Sequence, residues 1–418
     1  MNLVSLYGLQ FAYLTASLIT IPFLARNLGT TSWGIVSAIQ SLALTMIVIV
    51  EFGFGISGAR TVAYLKNDRR KLSIFVANIH MIKIILSCIL LILSFVIYEY
   101  IPLFRDNLST YFWGTIFSIV NGFSLYWFFQ GVEDLKYLVF FDAIGRLIYV
   151  VSIFIFVHSP EDGWLVMFIS FCSSFLPSII VYFRLYKFID FCPPNLADFR
   201  TILQESYGLF IFRISVALYT SANIIILGLF VSPAQLAIYA SAERLITLIK
   251  GGIIPITQVV SPRISSLLIT ERSSAELLIN KIFYGLLFMS TSILLFAWFL
   301  APIVIPKIFG TEYVKSIDYF RILLISLPLT GIINVLGLQW LIPNRFDKSF
   351  NIIMILGGVS NVLLAVLLCP TFGIKGMIAS VLITELMIAT SLFTIARRSK
   401  IAPFSFLGVS AYIKKGRT

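Results

Sequence analysis

The sequence predicts an all-α polytopic membrane protein, with about twelve transmembrane helices in two six-helix lobes around a central cavity. Three observations predict it. Of the 418 residues, 59% are hydrophobic and only 12% charged, and the mean hydropathy is +0.97; a soluble domain carries about 25% charged residues. Apolar runs long enough to span a bilayer, about 20 residues each, recur along the whole chain. One long polar break then divides those runs six and six.

The first run, 3–25, starts almost at Met1. It lacks the Lys/Arg n-region and small-residue cleavage site of a signal peptide, so it reads as a retained helix. The second run, 34–56, closes in EFGFGISGARTVAYLKNDRRK (51–71), where Glu51 ends an uncharged stretch and a basic cluster follows. Runs near 74–98, 110–131, 138–157 and 164–186 complete the first set. The break KFIDFCPPNLADFRTILQES (187–206) has paired prolines, mixed charge and an amphipathic end. The second set lies near 207–230, 236–258, 282–305, 317–342, 350–368 and 374–396. The chain therefore divides into an N-lobe (1–186), a linker (187–206), a C-lobe (207–396) and a basic tail (397–418). Prolines inside several spans, Pro22, Pro177 and Pro302 among them, permit kinks.

Lys and Arg are distributed unevenly between the two sides. With the N-terminus inside, twenty fall in inner segments and five in outer ones. That bias orients both termini to the cytoplasm and accounts for the net charge of +12 without nucleic acid. The tail then anchors to anionic lipid. Every outer loop is short, which excludes a large extracytoplasmic domain.

The halves resemble each other. WGIVSAIQSL (33–42) lines up with LAIYASAERL (236–245), and LYWFFQGVEDLKYLVFFDAIG (125–145) with LGLQWLIPNRFDKSFNIIMILG (336–357). The matches occur in the same order, so a duplication is expected. Six helices per half place the two copies in the same orientation, with a cavity between lobes and alternating access by rocking.

Charges inside spans are costly and usually face a cavity or a partner. Asp142 and Arg146 stand one turn apart and suit an ion pair. Glu51 lies near the inner end of its helix, and Arg60 lies beyond GFGISG. The two read either as a gate or proton site, or as interface residues that snorkel to water. Lys83, Arg213 and Lys250 lie in the inner halves of their helices, with Arg244 nearer the middle; its neighbour Glu243 is a candidate for gating or ion coupling. If the cations face the cavity, they suit an anion such as a diphosphate; separate contacts with lipid headgroups are the alternative. Tyr126, Trp127 and Phe128 are candidates for an aromatic stacking surface, though membrane belts use the same residues.

No HExxH, CxxC or carboxylate cluster suggests a metal. No GxxxxGK[ST] motif suggests a nucleotide. No cofactor is expected, and no catalytic residue.

The stretches IPFLARNLGTTSWGIVSAIQSL, EFGFGISGAR and YWFFQGVEDLKY, and later ERL, resemble the Wzx-type O-antigen flippases. These form part of the polysaccharide-export branch of the multidrug/oligosaccharidyl-lipid/polysaccharide superfamily. The resemblance runs from the first helix to the twelfth. It implies movement of an undecaprenyl-diphosphate-linked oligosaccharide repeat unit between leaflets of a bacterial inner membrane, coupled to an ion gradient. A polysaccharide polymerase and a chain-length regulator are the implied partners. Arg26 in FLARNLG and Arg213 in FIFRISVALYTSAN fit the cavity cations of such proteins. Asn223 departs from the pattern, standing where relatives often carry an acid. A small-molecule or cation antiporter would share the architecture but would more naturally use buried acids. A polymerase would need a sizeable outer loop.

Overall fold

The computed structural model describes residues 3–252 and 254–398, so most of the basic tail expected at 397–418 lies outside the described residues. Among those described the chain is helical, with no strand. The helices are α1 (Leu3–Glu51), α2 (Phe54–Leu65), α3 (Arg69–Tyr100), α4 (Pro102–Arg105), α5 (Leu108–Gly122), α6 (Tyr126–Gly131), α7 (Leu135–Phe156) and α8 (Gly163–Leu185) in the first half. The second half holds α9 (Phe199–Thr220), α10 (Asn223–Gly228), α11 (Pro233–Gly251), α12 (Ile254–Thr270), α13 (Arg272–Phe309), α14 (Ser316–Leu324), α15 (Ser326–Ile333), a π-helix (Asn334–Leu341), α16 (Asp347–Phe372) and α17 (Ile374–Arg398).

Eight stretches are long and apolar enough to cross a membrane. The first of them holds two passes that meet at Gly29, where φ is +68°, a conformation glycine adopts without a Cβ clash. Three more passes, α5–α6, α9–α10 and α11, are shorter, interrupted or more polar. The described residues thus form the twelve passes expected.

Three interruptions differ from the expected spans. The second pass stops at Glu51 rather than at 56, because Phe52 and Gly53 both turn left-handed (φ +46° and +80°). The GFGISGAR segment beyond it is helix α2, not a loop. The fourth pass breaks between Gly122 and Tyr126, and the seventh at Ser221–Ala222. Each break frees backbone carbonyls that need donors in a membrane. Lys83 Nζ donates to the Gly122 carbonyl at 2.7 Å, Tyr182 OH to that of Phe123 at 3.0 Å, and the Ser41 hydroxyl to that of Ser221.

The duplication is visible in the backbone. Glu133 and Arg345 are left-handed non-glycine residues (φ +63° and +66°). Each sits in the same helix-ending turn. Asp134 N–H reaches the Phe129 carbonyl and Glu133 N–H that of Gln130; Phe346 N–H reaches Leu341 and Arg345 N–H reaches Ile342. This is the Schellman pattern. The second copy has one residue more before its turn, and the π-helix, which closes i to i+5, absorbs it.

Packing separates the two ends of the bundle. One core joins both halves, running through Trp33, Ile39 and Met167 on one side and Leu236, Tyr239 and Phe320 on the other. Two smaller cores do not mix. Phe54, Ile79, Trp127, Phe128 and Leu185 form one, with Ile202 from the start of α9. Ile264, Ile279, Trp340, Phe350 and Ile388 form the other. The lobes are therefore fused at the Trp33 end and distinct at the Glu51 end. The segment before α9 lies on the N-lobe: Arg69 binds the Asp190 carboxylate through Nε and Nη2 at 2.9 and 2.8 Å, and Asn195 N–H reaches Asn78 Oδ1 at 2.7 Å.

Candidate functional site

The site is built on the facing helices α1, α9 and α11. At the Trp33 end α1 and α11 touch through backbone. A Cβ on Gly34 would collide with the Pro233 carbonyl, so only glycine permits this approach. Trp33 Nε1 donates to Ser241 Oγ at 3.1 Å, and Tyr313 OH to the Ala25 carbonyl. Arg26 donates to the Lys307 carbonyl. Arg26 thus lies exposed on this seam and does not line the space between lobes as expected, because its helix ends there.

About two turns along α1 from Trp33, Arg244 donates to Gln40 Oε1 and lies over the Trp33 ring, 4.6 Å from its centroid. From Gln40 the same face of α1 continues through Leu44 and Ile47 to Glu51, a helical stripe about 16 Å long. Leu44 is 51% exposed, and Thr220 on α9 and Thr247 on α11 are exposed too. Both ends of this stripe meet the other lobe through a polar contact, and its middle is exposed.

At the far end of the path Glu51 Oε1 meets Arg213 Nη1 at 2.5 Å, with 21% and 33% of the two side chains exposed. The pair joins the lobes. Phe52 stacks on Phe210 at 4.4 Å beside it, and the hydroxyls of Ser57 and Ser206 lie 2.8 Å apart. The expected pairing of Glu51 with Arg60 is not formed. The left-handed turn at Phe52–Gly53 redirects α2, so Arg60 faces outward and is exposed.

The other expected cations are elsewhere. Lys83 is 1% exposed, lies inside the N-lobe and caps α5; its ammonium sits near the rings of Phe123 and Trp127 at 6.0 and 5.9 Å. It faces no opening, because burial against the broken fourth pass holds it there. Lys250 pairs with Glu385 at 2.6 Å inside the C-lobe, with Thr330 at 3.5 Å from the same carboxylate. Glu243 is half-buried beside Asn223, with Arg244 and Lys250 within electrostatic reach. The Asn223 that stands in the expected acid's place on the seventh pass thus lies beside an acid on the eighth. Asp142 and Arg146 pair at 2.9 Å along α7. Trp127 and Phe128 are buried in the N-lobe core and only Tyr126, at 37%, is exposed, so stacking on sugars is open to Tyr126 alone of the three.

Sequence reasoning missed Gln40, Phe52, Phe210 and the serine pair. The repeat held a signal for the first: aligning 33–42 with 236–245 sets Gln40 beside the Glu243–Arg244 position.

A model of the polysaccharide biosynthesis protein family matches residues 2–268. The chain belongs to the polysaccharide biosynthesis protein family. Among the family's relatives, a protein provisionally named as an O-antigen transporter from Escherichia coli (strain K12) is 28% identical over 408 residues, covering 96% of this chain and 97% of its own. One of the same name from Shigella dysenteriae is 28% identical over 390 residues, covering 93% and 97%. The fold of this polysaccharide biosynthesis protein is similar to that of an inward-facing MATE family transporter of the MOP superfamily (TM-score 0.73, 15% identity, 92% and 98% covered). It is also similar to that of the lipid II flippase MurJ in an inward closed conformation (TM-score 0.69, 12% identity, 94% and 87% covered).

Proposed function

We propose that the chain is a flippase. It carries an undecaprenyl-diphosphate-linked oligosaccharide repeat unit from the cytoplasmic to the periplasmic leaflet of a bacterial inner membrane, by alternating access coupled to an ion gradient. The observation that carries this reading is the pairing of one fused end with one divided end, with Arg213 and Arg244 on the helices that face across the division. A lipid-linked glycan has a polar head that cannot cross hydrocarbon unaided. It needs a path for the head between lobes, closed at one end at a time, and cations that suit its diphosphate.

The Lys/Arg bias places the Glu51 end in the cytoplasm, so the arrangement described is closed toward the periplasm. The names of the relatives support the cargo class. An antiporter of the same fold would bind a cation, and the arginines on the facing helices weigh against that cargo. The chain makes and breaks no covalent bond in this reading. A polymerase and a chain-length regulator consume what it delivers, and anionic lipid surrounds its cytoplasmic face.

Deletion in the native host tests the reading. The expected result is loss of the surface-polysaccharide ladder with single lipid-linked units held on the cytoplasmic leaflet. Units that reach the periplasmic face but stay unpolymerised would overturn it in favour of a polymerase.

A further inference from the structure

We propose that Glu51 is an internal competitor for the anionic head of the cargo at Arg213, so that cargo binding and release of the Glu51-end contact are one event. The inference rests on the flippase reading and adds to it how the gate is opened.

Four observations carry it. Among the ion pairs of the described residues, Glu51–Arg213 crosses between lobes, while the others lie within one lobe or its attached linker. Arg213 gives its Nη1 donor to the Glu51 carboxylate at 2.5 Å; a diphosphate seeks the same donor and carries more charge. The contact is fitted: a Cβ at Gly55 would run into Glu51 Oε1 and stand 3.1 Å from Arg213 Nη1, so glycine leaves room for the pair. The backbone is also set for release. Phe52, a bulky residue held at φ +46°, occupies a conformation that costs energy outside glycine, and its stacking on Phe210 across the lobes helps to hold it there.

A displaced carboxylate needs a second partner. Lys83 supplies one. Its ammonium binds the Gly122 carbonyl, Gly122 packs against Val50 next to Glu51, and Glu51 lies within its electrostatic reach. When the cargo's head takes Arg213, Glu51 is left to Lys83 on the N-lobe side, and the cross-lobe contact has lost its charge pair. A binding site blocked for most of the time by its own side chain shows an apparent affinity lowered by the blocked fraction. Removing the competitor therefore raises affinity. A carboxylate that merely helped to bind cargo, or merely held the fold, would give no such gain.

The test uses the full chain in nanodiscs and farnesyl diphosphate as the probe, with farnesyl monophosphate as control. A Ser57→Cys/Ser206→Cys pair reports the contact by disulfide crosslinking, after replacement of the four native cysteines. The expected results are lower crosslinking when farnesyl diphosphate binds, about tenfold tighter binding by Glu51→Gln, and lost binding by Arg213→Ala. Gly55→Ala, which keeps both charges but wedges them apart, should also tighten binding, and it serves if Glu51→Gln fails to fold. Lys83→Met should weaken binding when Glu51 is present and change nothing in the Glu51→Gln background, a coupling that independent sites do not show. Binding unchanged in Glu51→Gln and Gly55→Ala, with Arg213→Ala still deficient, would overturn the competition and leave the flippase reading standing. Equal binding by Arg213→Ala and the native chain would overturn the diphosphate assignment with it.

Discussion

At the scale of single residues, charges of the same sign do different work according to what surrounds them. Arg213 is a third exposed and faces across the lobes; Lys83 is buried and closes a helix break. Arg213→Ala should abolish transport and Arg213→Lys restore part of it, with both proteins melting within about 1 kcal/mol of the native stability, as expected for a partly exposed pair. Complementation of a deletion strain and thermal unfolding in detergent check the two halves of this statement. Lys83→Ala should in addition lose on the order of 3 kcal/mol of stability, because a buried carbonyl loses its donor and a cavity opens. Asp162 gives a pH-dependent case. It accepts the backbone N–H of His158 at 2.9 Å and of Ser159 at 2.8 Å, and these hold its carboxyl below the usual carboxylate range. A carboxyl with a lowered folded value stabilises the fold above its unfolded value and loses that contribution as pH falls through the folded one. Asp162→Asn should therefore lower the melting temperature at pH 7, and the difference from the native chain should shrink as pH falls below the ordinary carboxylate range.

At the scale of elements, the twelve passes were legible because a bilayer demands a length and an apolarity that composition alone reveals. Their breaks were not. Nothing in SLYWFF or YTSANI marks an interruption, since the donors that make each one tolerable come from other helices, Lys83 and Tyr182 on α3 and α8, and Ser41 on α1. The partner of Glu51 was hidden for the same reason: 162 residues separate it from Arg213, whereas Arg60 was near in sequence and wrongly placed by an undetected turn. The repeat was legible, and its two left-handed residues make a prediction. A non-glycine residue in that conformation costs about 1 kcal/mol, so Glu133→Gly and Arg345→Gly should each raise the melting temperature, the loss of the exposed Lys66–Glu133 pair subtracting little. Gly34→Ala should do the reverse to the α1–α11 seam. The added methyl meets a backbone carbonyl that cannot yield as a side chain would, and overpacking of this kind costs about 1–3 kcal/mol. A cysteine at Ser241, sealed beneath Trp33, should then react with an impermeant thiol reagent from the Trp33 side in Gly34→Ala and not in the native background.

At the scale of the whole molecule, three cores decide how it moves. Each lobe keeps a core of its own at the Glu51 end, so parting there breaks the Glu51–Arg213 and Phe52–Phe210 contacts but divides no core. Parting at the Trp33 end must instead divide a core common to both. The resting arrangement is accordingly closed at Trp33, and something must compensate for opening it. Leu44 lies midway along the path between the ends. A cysteine in its place should label from the Glu51 side of the membrane and be shielded from the other, and cargo should reverse that preference in a protein that turns over. Labelling of inverted and right-side-out vesicles reads both. Equal labelling from the two sides would describe a pore.

The extra residue in the tenth pass bears on the protein's history. An insertion into an ordinary helix swings everything after it by about 100°, which would have turned the second copy's Arg345 turn and the helix beyond it out of register. Here the surplus is confined to one widened coil, and the turn survives as it is in the first copy. Such a coil also retains the means of undoing itself: passing the surplus along by a single residue re-aims the side chains it crosses without lengthening the membrane pass. The first copy, having no residue to spare, is tied to a single setting, and the second has slack.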